Sequence, residues 1–135
     1  MVVANDDAFL NVDLHIGART RAQLAPLIEV LDSELFEMFV GRIRGLYHAH
    51  YESCGPSSIE GRLRRRNASV VIHELADVVE GLNASARRAW KAAAVRDFNV
   101  GVEVARGAWA TAHTVEADAV RRVAALRARL VFTTY

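Results

Sequence analysis

With 135 residues, 52% of them hydrophobic and 24% charged, the chain suits a single domain over residues 1–135. It is large enough to bury a core without disulfide or metal staples, and too apolar to be a disordered segment. A formal net charge of +1, from 17 basic and 16 acidic residues, gives no global field for a polyanion, which counts against nucleic acid as a partner.

Cys54 is the sole cysteine, so an internal disulfide is excluded. The start, Met1-Val2-Val3-Ala4-Asn5-Asp6-Asp7, has neither the basic residues nor the apolar run of a signal peptide. No apolar stretch approaches the roughly 20 residues that span a bilayer. A cytoplasmic protein with no membrane partner is therefore expected, and on that reading the Asn-x-Ser triplets at Asn67 and Asn83 are coincidental.

In chain order, Leu10, Val12, Leu14 and Ile16 alternate with Asn11, Asp13 and His15, which predicts a half-buried strand over residues 9–16 ended by Gly17. Leu24, Leu27, Ile28 and Leu31 then fall at i, i+3, i+4 and i+7, the stripe of an amphipathic helix. Thr20 and Gln23 spell a capping box, but Pro26 argues for a start nearer Gln23–Ala25. Residues 34–40 and 46–52 read as a hairpin joined by the five residues Gly41–Gly45. Strict alternation puts Phe36, Met38 and Val40 on one face of its first arm and Leu35, Glu37 and Phe39 on the other.

Ser57 or Ser58 is placed to cap a long helix with Ile59, Leu63, Val71, Leu75, Val78 and Leu82 at near-helical spacing. Gly61 weakens its first turns, so the firm part is expected from Asn67. A short helix over about Ala84–Ala94, anchored by Trp90, comes next. Phe98, Val100, Val102 and Val104 mark a strand, and Trp109–Thr114 a short edge strand. Glu116–Leu126 is expected to be a helix with Val120, Val123, Ala124 and Leu126 inward, and Leu130–Tyr135 a closing strand.

The predicted order, β-α-β-β-α-(α)-β-α-β, is that of an α+β two-layer sandwich of ferredoxin-like kind. Its sheet has four to five mostly antiparallel strands, with three to four helices on one face.

Chemistry concentrates on the other face. His48, His50 and Glu52 share it by alternation, as do Asp13 and His15 on the first strand. His-x-His on a strand is a feasible metal spacing, so Asp13, His15, His48 and His50 are candidate ligands or acid–base groups. The plainer explanation is the wet side of a one-sided sheet. Leu35, Phe39 and Leu46 are expected among these polar groups, a mixture typical of a binding surface. Leu35, Phe39, His48, His50 and Glu52 are thus the candidate contacts for a protein partner or a second copy.

The block Arg62-Leu63-Arg64-Arg65-Arg66 is the one basic run, and it lacks interleaved aromatics for base stacking. It reads as a solvated helix face, as do Arg121, Arg122, Arg127 and Arg129. Cys54 carries no nucleophile signature, and His73-Glu74 has Asp77 where a zinc protease needs its second histidine. No phosphate-binding glycine loop or nucleophile elbow occurs, so no cofactor is expected.

The segments FLNVDLHI, RDFNVGVEV and VEADAVRRVAALRARLVFTTY resemble a family of small uncharacterised bacterial α+β proteins. The last of them, a helix closing directly into a strand that ends in Tyr135, is the most distinctive. The resemblance implies an immunity-type protein, of the kind encoded near secreted toxins, and supplies no catalytic residues. Together with the sheet face it points to a non-enzymatic protein-interaction module. The alternative is a metal-dependent or acid–base enzyme built on the histidines and carboxylates of that face.

Overall fold

The structure is a computed structural model that describes residues 2–3, 9–55, 66–103 and 110–135. Its strands are β1 (Val2–Val3), β2 (Phe9–Ala18), β3 (Leu35–Ile43), β4 (Leu46–Ser53), β5 (Val95–Val102), β6 (Ala110–Thr111) and β7 (Arg129–Thr134). Its helices are α1 (Arg21–Glu34), α2 (Ala68–Glu80), α3 (Ala84–Ala92) and α4 (Ala117–Ala125). The result is an α+β fold.

Five strands form one mixed sheet in the order β3-β4-β2-β5-β7, and β1 pairs with β6 in a separate two-stranded sheet. Antiparallel ladders join β3 to β4, β4 to β2 and β2 to β5, while β5 and β7 run parallel. The parallel pair follows from its connection, because α4 carries the chain back to the starting end of the sheet.

Alternation along β2 decides which side the helices cover. Val12, Leu14 and Ile16 are fully buried, together with Ala49 and Tyr51 of β4 and Phe98 and Val100 of β5. Leu24, Leu27 and Leu31 of α1 and Val71, Ile72 and Leu75 of α2 close over them. Helix α1 packs on β2, β3 and β4, α2 on β2 and β4, and α4 on β7. Among the described residues no helix packs on the opposite face, and none is long and apolar enough to cross a membrane.

The helix starts follow their caps. Thr20 Oγ1 accepts from Gln23 N at 3.3 Å and Thr20 N donates to Gln23 Oε1 at 3.1 Å, so α1 begins at Arg21 and not near Gln23–Ala25. Pro26 sits inside the helix. Its absent N–H would have bonded to the exposed Ala22, whose carbonyl water can satisfy, and burial of the leucine stripe outweighs the local penalty. Asn67 and Asn83, the Asn-x-Ser asparagines, are N-caps whose side chains accept from Val70 N at 3.0 Å and Ala86 N at 2.8 Å.

Four further expectations shift. The hairpin connection is the two-residue turn Arg44-Gly45, with φ of 51° and 83°. Such positive values twist a turn to match its strands, and β3 accordingly runs on through Gly41 to Ile43. In α4 it is Ala119 and Val123 that face inward, while Val120 is exposed. Arg122 is not simply solvated: it ties α4 to α2 by donating to Asp77 Oδ1 at 2.7 Å and Glu80 Oε2 at 2.8 Å.

The fourth concerns Leu35. Glu37 pairs with Tyr51 but Phe39 pairs with His50, so Met38 is the extra residue of a β-bulge and the face pattern reverses there. Leu35 is consequently core, 6% exposed, and Phe36 lies on the helix-free face, 61% exposed. The expected caps Ser57 and Ser58, the arginines at 62, 64 and 65, and Val104 to Trp109 lie outside the described residues. Arg66 is ion-paired with Glu74 at 2.7 Å.

Candidate functional site

Registers of four ladders set one row straight across the sheet. Phe39 is opposite His50, His50 opposite His15, His15 opposite Asp97, and Asp97 opposite Arg129. A second row runs from Phe36 through Glu52 and Asp13 to Asn99 and Val131. Because directly paired residues share a face, all of these side chains stand on the helix-free side.

The imidazoles are in mutual contact. His15 and His50 stack with centroids 3.6 Å apart and planes 10° from parallel. His48 meets His50 edge-on, and His50 Nε2 lies 3.3 Å from His48 Nδ1, one ring donating to the other. The Phe39 ring leans on His50 with centroids 5.2 Å apart. Two glycines make the room. A Cβ at Gly41 would fall 2.9 Å from Phe39 Cζ, and one at Gly17 would lie 3.1 Å from Val95 Cβ and 3.4 Å from His48 Cε1.

Charge on this face is paired. Asp97, almost fully buried, accepts from Arg129 Nε and Nη2, both at 2.8 Å, and this fork holds Arg129 above its ordinary pKa. Asp13 Oδ2 is 3.9 Å from His15 Nε2, Asn11 Nδ2 donates to Glu52 Oε1, and Thr133 Oγ1 donates to Asn99 Oδ1 at 2.9 Å. Burial pushes His50 down to about 4, with His15 and His48 adding to the effect. Burial and His15 lower His48 as well. Both rings are neutral at pH 7, and their mutual bond leaves one free nitrogen on each, a donor on one ring and an acceptor on the other.

Of the residues expected to make contacts, Phe39, His48, His50 and Glu52 stand together here, joined by Asp13 and His15, while Leu35 is beneath the sheet. Phe36, Asp97 and Arg129 complete the face. Asp97 is in phase with Asn99 and Gly101, so alternation could have placed it. Phe36 was hidden by the bulge. Among the described residues no three His, Cys, Asp or Glu groups are disposed to hold a metal ion. Parallel stacked rings aim their nitrogens past one another, not at a common point.

Cys54 is exposed beyond the end of β4. His73 contacts Asp118 at 3.3 Å and accepts at Nδ1 from Arg122 Nη1 at 3.0 Å, so it belongs to the α2–α4 contact. Compared with family models, curated proteins and solved structures, the chain matches none.

Proposed function

We propose that this chain is a non-enzymatic protein-interaction module, cytoplasmic, which takes another protein on its open sheet face. An immunity-type role, in which the face covers a partner's working surface, is one concrete form. The reading rests mainly on Phe36, Met38 and Phe39, which are 61%, 51% and 40% exposed on the outermost strand and run directly into the row of imidazoles.

Exposed apolar groups beside neutral polar ones, with the carboxylates already engaged, are the composition of an interface centre. Among the described residues, β3 is also a nine-residue edge with no strand on its outer side, and no proline interrupts it. The Met38 bulge works against pairing where it sits, but the segments on either side of it can accept another strand. The fitting occupant is a protein with an apolar ridge for Phe36 and Phe39 and hydrogen-bonding groups for His48 and His50. Acid–base or metal catalysis is less well served, because the stacked rings leave a substrate atom no shared point of approach.

The test is a Phe39→Asp/His50→Asp double variant, checked for its fold by circular dichroism. Sedimentation equilibrium measures self-association, and calorimetric titration measures binding to the protein encoded beside this one. The association shown by the wild type should fall by at least about a hundredfold, as expected when a buried aromatic anchor is lost. Unchanged association in the folded variant, or none in the wild type, removes the reading.

A further inference from the structure

We propose that the cleft where α2, α3 and α4 end is a binding site for a small phosphorylated molecule. The site lies on the helical side of the sheet and does not depend on the sheet-face reading. A cavity of about 550 Å³ opens there, lined by Arg87, Lys91, Arg96 and Arg127 around Trp90, with Glu80 at its rim. The volume suits a ligand up to about the size of a mononucleotide.

The charge balance is what singles this cleft out. The only carboxylate of the lining, Glu80, is taken by Arg122 through Nε at 3.2 Å and Nη2 at 2.8 Å. None of the four lining cations has a carboxylate partner among the described residues, although the whole chain carries a net charge of only +1.

Helix C-termini attract cations, and that accounts for part of the cluster. Arg87 Nη2 donates to the carbonyls of Glu80 and Leu82 at 3.0 and 3.2 Å. Arg96 Nη1 donates to those of Trp90, Lys91 and Ala93, and its Nε to that of Arg127. Three helix ends supply only roughly −1.5 elementary charges between them, well short of the four cations.

The same bonds prepare a receptor. Carbonyls fix the Arg87 and Arg96 guanidiniums in place, leaving Nη2 of Arg96 and both Nε and Nη1 of Arg87 with unused N–H groups. The Lys91 and Arg127 side chains have no hydrogen-bond partner among the described residues. Fixed guanidinium forks beside free cations match the several oxygens of a phosphate or pyrophosphate. Trp90 is 4% exposed and its Nε1 donates to Leu126 O at 3.1 Å. No base can stack on it, so the chemistry favours a small phosphate ester over single-stranded RNA.

The test titrates the full chain with pyrophosphate at low salt by calorimetry, and follows Trp90 emission in a Trp109→Phe background. Arg87 and Arg96 are left intact because they hold helix ends. The double variant Lys91→Gln/Arg127→Asn removes two free cations, and asparagine tolerates the positive φ of 55° at residue 127. Its control, Arg42→Gln/Arg44→Asn, removes the same charge at the hairpin turn, where Arg44 also has positive φ.

One pyrophosphate should bind per chain and shift Trp90 emission. Affinity should fall about tenfold or more in the cleft variant and hold in the control. Absence of saturable binding, or equal loss in both variants, overturns the proposal. So does citrate binding as tightly as pyrophosphate, or single-stranded RNA outcompeting it.

Discussion

Two imidazoles face to face at 3.6 Å are a poor place for charge. Burial is the larger reason that His50 is pushed down to about 4, and His15 and His48 add to it against the opposing pull of Asp13 and Asp97. An unfolded-chain histidine protonates near 6.5. Between those two values the unfolded state binds the proton that the folded state refuses, so acid favours unfolding. The contribution is complete above pH 6.5 and is lost as the pH falls toward about 4. His48, lowered mainly by burial, acts in the same sense. Because the ring is partly exposed, screening reduces the His50 share to roughly 1 kcal/mol. Urea unfolding of the wild type and His50→Gln at neutral pH and near pH 4 measures it. The wild type should lose more on acidification by that margin, and parallel pH profiles would refute the assignment. Tyr51 supplies a comparison at neutral pH. Its buried phenol, held well above its ordinary pKa first by burial and then by Asp32, donates to Asp32 Oδ1 at 2.8 Å. Tyr51→Phe should cost about 1 kcal/mol in urea unfolding at neutral pH.

Strand β3 turns on one unpaired residue. With Met38 bulged out, Leu35 enters the core and Phe36 leaves it, opposite to what alternation alone dictates. Leu35→Ala should therefore cost about 2–3 kcal/mol, whereas Phe36→Ala, at a position 61% exposed, should stay within about 0.5 kcal/mol. Urea denaturation of the two variants decides, and the reverse ranking would mean that the strand is regular. The bulge was illegible because Met38 is as apolar as its neighbours, so the run of residue types is the same with or without it. Strand β2 was legible because nothing interrupts its period between Asn11 and Ala18. Helix α1 was legible in its cap, and only the weight given to Pro26 was wrong, since burial of Leu24, Leu27 and Leu31 overrides propensity. That His15 and His50 share a face followed from alternation. That they stack depended on β2 lying beside β4, a pairing across 35 residues that local pattern does not encode. The basic cleft was less legible still, since its lining comes from five separate elements or turns.

At the scale of the molecule, the five-stranded sheet with its one helical layer has two unlike sides. The helix-free side carries Phe36, Phe39 and the imidazoles, and the helical side carries the cleft at the ends of α2, α3 and α4. Between them lies the core that includes Leu14, Ile16, Phe98 and Val100. Groups that share no neighbour act independently on stability to within about 0.5 kcal/mol. Combining Phe39→Asp with Lys91→Gln/Arg127→Asn should thus give an unfolding free energy equal to the sum of the separate effects, within that margin. Phe39→Asp should leave pyrophosphate affinity unchanged, and the cleft substitutions should leave protein association unchanged. A coupling above about 1 kcal/mol in the unfolding cycle, or a change in either binding reaction caused from the opposite side, would show that the sheet transmits strain between its faces and that the two surfaces form one linked device.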